Sequence, residues 1–345
     1  MDLLFYLLIF LLVLIVSSTT NKLFPFMPMP LIQILLGIVI GLFLPNNQYH
    51  LDTELFLALV IGPLLFREAQ ESDITSILKH WRIVLYLIFP VIFISTLSIG
   101  GLAHVLWVSL PLAACVAVGA ALGPTDLVAF ASLSERFTFS KRISNILKGE
   151  GLLNDASGLV AFRMALIAWT TGAFSLSQAG SSLAISIIGG FAIGFLTAII
   201  NRFLHTFLLS VRITDIASEL LLELSLPLLT FYLAENLHVS GIIAVVVAGI
   251  LKASRFKKIN LLEAQVDTVT ETVWHTVTFI LNGSVFVILG MELEWISEPI
   301  LKSPFYNKLL LLFGIFLLTF LLFAIRFIMI YGFYVFRIKK LQKSL

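Results

Sequence analysis

Charge is what this sequence has least of. Only 12% of its 345 residues are Asp, Glu, Lys or Arg, against about a quarter in soluble domains, and that scarcity excludes a soluble enzyme of this size and a disordered chain. The 22 basic and 20 acidic residues leave a net charge of +2, so no excess of either sign points to nucleic acid. A single cysteine, Cys115, excludes an intrachain disulfide and with it a disulfide scaffold. No basic stretch precedes the first apolar run, where Asp2 stands instead, so that run reads as a retained span and not as a cleaved leader. No Gly-x-x-x-x-Gly-Lys-Ser/Thr run occurs, which argues against coupling to ATP. What is plentiful is apolar: 59% of residues are hydrophobic and 30 are Phe. The chain reads as an all-α, polytopic membrane protein.

A membrane-spanning helix needs about 20 mostly apolar residues. Eleven segments fit, at about 2–18, 28–44, 51–70, 81–107, 111–133, 143–170, 178–204, 212–235, 239–254, 264–292 and 308–336. The ninth is short. Turns such as Leu44–Pro45–Asn46–Asn47 separate them, and no connection is long enough for a soluble domain, so residues 1–345 read as a single transmembrane domain. Basic residues are retained on the cytoplasmic side of a membrane. Loops after odd-numbered spans carry them, for example Arg136, Lys141, Arg142 and Lys148, while those after even-numbered spans hold only Lys302 and Lys308. That alternation places the N-terminus outside and the C-terminus inside.

Ionisable groups deep in a bilayer cost about 2.5–3.5 kcal/mol on insertion scales and mark ion or proton pathways. Here they gather in the fifth and sixth spans. Gly123–Pro124–Thr125–Asp126 interrupts the fifth. Proline removes a backbone donor and clashes with the preceding turn, so a helix break is expected there, and broken helices are how transporters expose carbonyls and amides to ions. The sixth opens with Lys148–Gly149–Glu150–Gly151–Leu152–Leu153–Asn154–Asp155 and later carries Arg163. Glu150 and Asn154, four residues apart, share a face. Asp155 lies about 140° round from Glu150, so the three line one side of a crevice and not one narrow stripe.

Small alkali cations, like other hard cations, take oxygen ligands. Leaving bulk water favours the protonated form of a carboxylate, so one such group holds either a proton or a cation. Exposed to each side in turn, it exchanges one for the other. Asp155 is the carboxylate expected to do this, with Asn154 positioning the site without adding charge. Simpler roles compete. Asp126 fits a helix N-cap, Glu150 an interfacial partner of Lys148 or Arg142, and Arg163 a structural partner for a carboxylate. Glu68 and Arg326, in the third and eleventh spans, fit a buried ion pair or interfacial snorkelling. His104 and His238 carry no expected relay role.

The pattern Gly123–Pro124–Thr125–Asp126–Leu127–Val128–Ala129 resembles the Thr-Asp-Pro-Val-Ala segment of bacterial sodium/proton antiporters of the first monovalent cation:proton antiporter family. The run Glu150–Gly151–Leu152–Leu153–Asn154–Asp155–Ala156 is similar to their Glu-Ser-Leu-Leu-Asn-Asp-Ala motif. Tyr232–Gly241, Ala244–Gly249, Phe279–Gly290 and Arg326 resemble further family stretches in order, so the likeness covers essentially the whole chain. It implies an inverted-repeat fold with broken helices and a homodimer in the bacterial inner membrane. It implies Asp155 as the ion- and proton-binding carboxylate, Asn154 as its partner in one-for-one exchange, and Glu150 and Thr125 as further ligands of Na⁺, K⁺ or Li⁺. Asp126 would act through water or by holding the crossing, and Glu68 and Arg326 would form a structural pair. No resident cofactor is implied; the ligands are the transported cations and protons.

The sequence departs from the family pattern twice. Gly151 stands where many members have Ser, removing one hydroxyl. After the arginine-bearing eleventh span the family has a Gly-x-Arg-Gly-Ala span and one more, and residues 337–345 hold neither, so the chain is expected to lack the last two spans. The leading expectation is cation/proton antiport, not enzyme chemistry; the alternative is a non-transporting remnant of such an antiporter. An intramembrane aspartyl protease using Asp126 and Asp155 would have the right residue types, but the Gly-x-Gly-Asp setting is absent.

Overall fold

A computed structural model of the chain describes residues 2–43, 52–72, 75, 79–125, 137–172, 176–211, 215–253, 261–302 and 308–342. Among them every regular element is helical. The first two are α1 (Asp2–Leu23) and α2 (Met29–Phe43). Then α3 runs through Thr53–Phe56, a π-helical turn over Leu57–Ile61, and Gly62–Glu71, and α4 through Trp81–Tyr86, a π-helical turn over Leu87–Val91, and Ile92–Leu106. The rest are α5 (Leu112–Leu122), α6 (Lys141–Thr171), α7 (Leu176–Val211), α8 (Ile216–Asn236), α9 (Gly241–Ala253), α10 (Leu261–Lys302) and α11 (Lys308–Gln342). Pro90 falls inside the π turn of α4. A proline cannot donate one turn back, and a single π turn lets a helix pass such a point without ending.

Each of the eleven spans read from the sequence contains described helix. Among the described residues, five helices are long and apolar enough to cross a membrane: 81–106, 184–208, 216–236, 268–297 and 308–333. The helices at 8–23, 29–43, 112–122 and 241–253 are apolar but shorter. Length therefore supports five crossings, and the figure of eleven rests on hydropathy and loop charge. Helical backbone also outruns the apolar stretches. α1 continues to Leu23 and α10 to Lys302, past the expected ends at 18 and 292, because a formed helix propagates through polar residues at little cost.

The stretch read as one domain divides into two compact units that interleave along the chain. One comprises Met1–Ser72, Val128–Thr138 and Ala184–Ser303, the other Asp73–Leu127, Phe139–Leu183 and Pro304–Leu345. In the first, α2 lies close against α10: a Cβ added to Gly37 would collide with the Val287 carbonyl, and one on Gly290 with that of Ile34. Small residues at such crossings let backbones approach where lipid gives no hydrophobic drive. Trp295 Nε1 donates to the Gly41 carbonyl at 3.2 Å across the same seam. α9 is enclosed, with Gly241, Ile242 and Ala244–Gly249 all buried.

In the second unit, α4, α5 and α11 share a core of Ile99, Ala103, Cys115 and Leu318. α6 meets α5 where Gly158 packs on the Pro124 ring. The outward side of α11 shows Phe313, Phe316, Phe320, Phe323 and Phe327, all exposed. Apolar rings at helical spacing on an outer face suit a helix surrounded by lipid.

Candidate functional site

The site forms where α5 stops. Gly123 keeps helical angles, but Pro124 brings no N–H, so the Ala120 carbonyl loses its intrahelical donor. At Thr125 the chain has left the helix. α6 starts from Ser140, whose Oγ accepts from the Ile143 N–H at 3.4 Å, and brings Glu150 and Asn154 to one face three turns in. Both are buried, at 1% and 0% exposed.

These groups form one circuit. Asn154 Nδ2 donates to Thr125 Oγ1 at 2.6 Å, and that hydroxyl donates to Glu150 Oε1 at 3.3 Å. Arg326 of α11 places Nη1 3.2 Å from the same carboxylate oxygen and donates from Nη2 to the Gly123 carbonyl at 2.8 Å. The broken end of α5 is thus held twice, through Thr125 from α6 and through Gly123 from α11. A charge-assisted bond to a frayed helix end is stronger than a neutral one, and a buried carboxylate requires such a partner. The circuit leaves Asn154 Oδ1 and Arg326 Nε buried without a hydrogen-bond partner.

Of the residues singled out from sequence, Thr125, Glu150 and Asn154 come together, and Arg326 joins them. Arg326 pairs with Glu150 in the structure; Glu68, for which a pairing with Arg326 was also expected, lies on α3. Glu150 likewise meets Arg326, where the simpler reading gave it Lys148 or Arg142. Asp155 follows Asn154 on α6, and its side chain is outside the described residues. Asp126 lies outside them altogether.

A second polar constellation, in the first unit, escaped the sequence reading. Glu223 Oε1 accepts from Gln70 Nε2 at 2.9 Å and from Trp274 Nε1 at 3.2 Å, while Oε2 sits 3.6 Å from Lys252 Nζ. Lys252 also donates to Asn201 Oδ1 at 3.2 Å. Five helices, α3, α7, α8, α9 and α10, meet in this network. The available signal was Glu223 itself, a carboxylate one turn after Glu219 within the eighth span. Lys252 stands near the end of the short ninth span, and its side chain is only 10% exposed.

Among the described residues no three His, Cys, Asp or Glu side chains gather as a metal site. The donors at the break are hydroxyl, amide and carboxylate oxygens, a set suited to a hard cation.

Residues 7–345 match the family profile described as sodium/hydrogen exchanger, transmembrane. The chain is 36% identical over 319 residues to a "Sodium, potassium, lithium and rubidium/H(+) antiporter" of Bacillus pumilus, covering 92% of this chain and 47% of that protein. It is 34% identical to the protein of the same name from Bacillus subtilis, over 97% of this chain and 50% of that one. The chain thus spans about half the length of these curated relatives. Its fold is similar to that of the sodium proton antiporter MjNhaP1 from Methanocaldococcus jannaschii, with a TM-score of 0.64 and 20% identity over 84% of this chain and 71% of that one.

Proposed function

Because the chain belongs to the transmembrane sodium/hydrogen exchanger family, we propose that it exchanges Na⁺ or another monovalent cation for H⁺ by competition at Asp155. The observation that carries this reading is the buried Asn154–Thr125–Glu150–Arg326 circuit, which fixes the broken end of α5 beside the turn that bears Asp155. Glu150 already has a fixed cation, the Arg326 guanidinium, and a hydroxyl donor. A proton or a metal ion arriving on it would have to displace that pairing. Asp155 is then the carboxylate left to alternate between H⁺ and cation. Asn154 positions the site, the Thr125 backbone is a further ligand, and Asp126 acts through water or by holding the crossing. Glu150 and Arg326 preserve the frame, with a Glu150 oxygen as a further ligand near the cation.

The cycle needs no nucleotide. A cation entering from one face displaces the proton; facing the other side, the site releases the cation and is reprotonated. Because one group holds one ligand at a time, the exchange is obligatory. The protein would work as a homodimer in the bacterial inner membrane, with its N-terminus outside and its C-terminus inside. No observation favours the second reading, a non-transporting remnant.

Purified protein in liposomes loaded with a pH-sensitive dye tests this. Adding Na⁺, Li⁺ or K⁺ should move protons, and Asp155→Asn should abolish the movement while leaving insertion and melting temperature near those of the unsubstituted protein. Full exchange by Asp155→Asn would assign the competition to another residue, and no proton movement with any of the three cations would overturn the reading itself.

A further inference from the structure

Helical Ser and Thr residues usually return their hydroxyl to a carbonyl one turn back. This chain does so repeatedly: Thr19 to Ile15, Thr206 to Arg202, Ser284 to Ile280 and Thr319 to Ile315, at 2.8 to 2.9 Å. Ser95 and Thr96 of α4 do not. They are 1% and 5% exposed, and neither hydroxyl oxygen has a hydrogen-bond partner. Buried polar atoms in native proteins are nearly always satisfied, and an exception calls for a ligand or a water.

Thr96 has a definite place. Its own carbonyl packs where Gly119 leaves room, and its Oγ1 lies 3.6 Å from the point a Cβ on Gly123 would occupy. The orphan hydroxyl therefore sits against the last turn of α5, two residues before Thr125. That turn holds the Ala120 carbonyl, which Pro124 leaves without a donor, and a helix C-terminus carries a partial negative charge. The fixed positive charge at this end, Arg326, is balanced by Glu150 at 3.2 Å. The same point on Gly123 lies 3.4 Å from the Gly119 carbonyl oxygen and 3.5 Å from an Ile92 methyl.

We propose that the Thr96 hydroxyl is an oxygen ligand for the alkali cation at the broken end of α5, so that α4 contributes to how tightly and which cation is held. This rests on the exchange reading for the identity of the ligand and adds a residue that lies outside the motifs. The geometry accounts for an otherwise costly feature. A hydroxyl kept out of the local helix bond is ready to turn toward a cation that comes and goes.

Two variants test it, Thr96→Val, which keeps the shape and removes the oxygen, and Thr96→Ser, which restores it. Two readouts are needed: the cation concentration that half-saturates proton movement in liposomes, and the rise in melting temperature that Na⁺, Li⁺ or K⁺ gives the purified protein. Thr96→Val should raise the half-saturating Na⁺ concentration about tenfold, as for one lost oxygen contact, and shrink the Na⁺-dependent rise in melting temperature. It should also alter the order among the three cations, and Thr96→Ser should return both readouts toward the starting values. An unliganded orphan hydroxyl predicts no such change. Thr96→Val would then leave both the half-saturating Na⁺ concentration and the Na⁺-dependent rise in melting temperature unchanged, and the assignment falls. If the unsubstituted protein moves no protons yet melts higher with Na⁺, and Thr96→Val loses that rise, the exchange reading fails and the ligand assignment stands. If no cation raises the melting temperature of the unsubstituted protein, the ligand assignment fails whatever the transport result.

Discussion

The two units handle buried polarity in opposite ways. In the first, every oxygen of the Glu223 carboxylate has a partner, Lys252 is shared between Glu223 and Asn201, and Thr230 donates to Thr197 at 3.0 Å. In the second, the circuit at the end of α5 is closed, yet around it remain four buried side-chain atoms with no hydrogen bond: Ser95 Oγ, Thr96 Oγ1, Asn154 Oδ1 and Arg326 Nε. No such atom occurs in the first unit among the described residues. A satisfied network in a low-dielectric interior is rigid. Polar atoms left over in the same kind of interior are costly unless something else completes them. The contrast teaches that buried polar groups in the first unit satisfy one another, whereas the second keeps four such atoms open.

The largest effect expected from breaking this contrast is in the second unit. Arg326→Met strands Glu150 and releases the Gly123 carbonyl, and uncompensated buried charges of this kind cost about 3–5 kcal/mol. The protein should melt far lower in detergent or fail to accumulate. Glu150→Gln combined with Arg326→Met should recover a good part of the loss, since removing both charges leaves none unpaired. A double variant no more stable than Arg326→Met alone would show that the guanidinium acts on the Gly123 carbonyl and not on the carboxylate.

Glu223→Ala makes the matching cut in the first unit. It removes the acceptor for Gln70 and Trp274 and the partner of Lys252, whose side chain is 10% exposed against 12% for Glu223 itself. Water reaches this pair more readily than it reaches Glu150, so the expected loss is smaller, about 1.5–3 kcal/mol for charged hydrogen bonds. The sharpening lies in the second readout. Half-saturation by Na⁺ in liposomes should be unchanged in whatever fraction folds, because no atom of this network belongs to the broken end of α5. A shift in cation affinity comparable with that of Thr96→Val would erase the distinction between the units.

How much of this was legible in the sequence follows from how local each cause is. The break at Pro124 is a matter of one missing N–H, and it was legible. The shared face of Glu150 and Asn154 follows from four-residue spacing, and it was legible too. The family and its all-helical fold were readable from ordered motifs along the whole chain, and the matching profile over residues 7–345 bears that out. The pairing of Arg326 with Glu150 was not legible. It depends on which helices α11 lies against, a long-range packing fact that no spacing encodes. Thr96 was invisible for a different reason: a threonine in an apolar span ordinarily hides its hydroxyl on its own helix, and only the three-dimensional arrangement shows that this one does not. The division into two interleaved units was hidden because each draws on segments far apart in the chain.

The smallest expected effect lies at the edge of the first unit and tests whether its stability is as evenly supported outside the membrane as within. Asp215 caps α8, and its carboxylate accepts from the Ser218 N–H at 2.9 Å. That hydrogen bonding, from the Ser218 side chain and backbone, holds the Asp215 carboxyl below its ordinary range. A depressed carboxyl contributes stability that is fully present above its unfolded value, about 3.9, and lost as the pH falls through the lower folded one. Asp215→Ala should therefore melt slightly below the unsubstituted protein at neutral pH, and the two melting curves should converge as the solution is acidified below pH of about 4. Asp215→Asn, which keeps a capping oxygen without the charge, should lie between them at neutral pH and lose the acid dependence. A gap between the unsubstituted protein and Asp215→Ala that persisted unchanged into acid would mean the cap works through shape alone, and the charge at the start of α8 adds nothing to the stability of its unit.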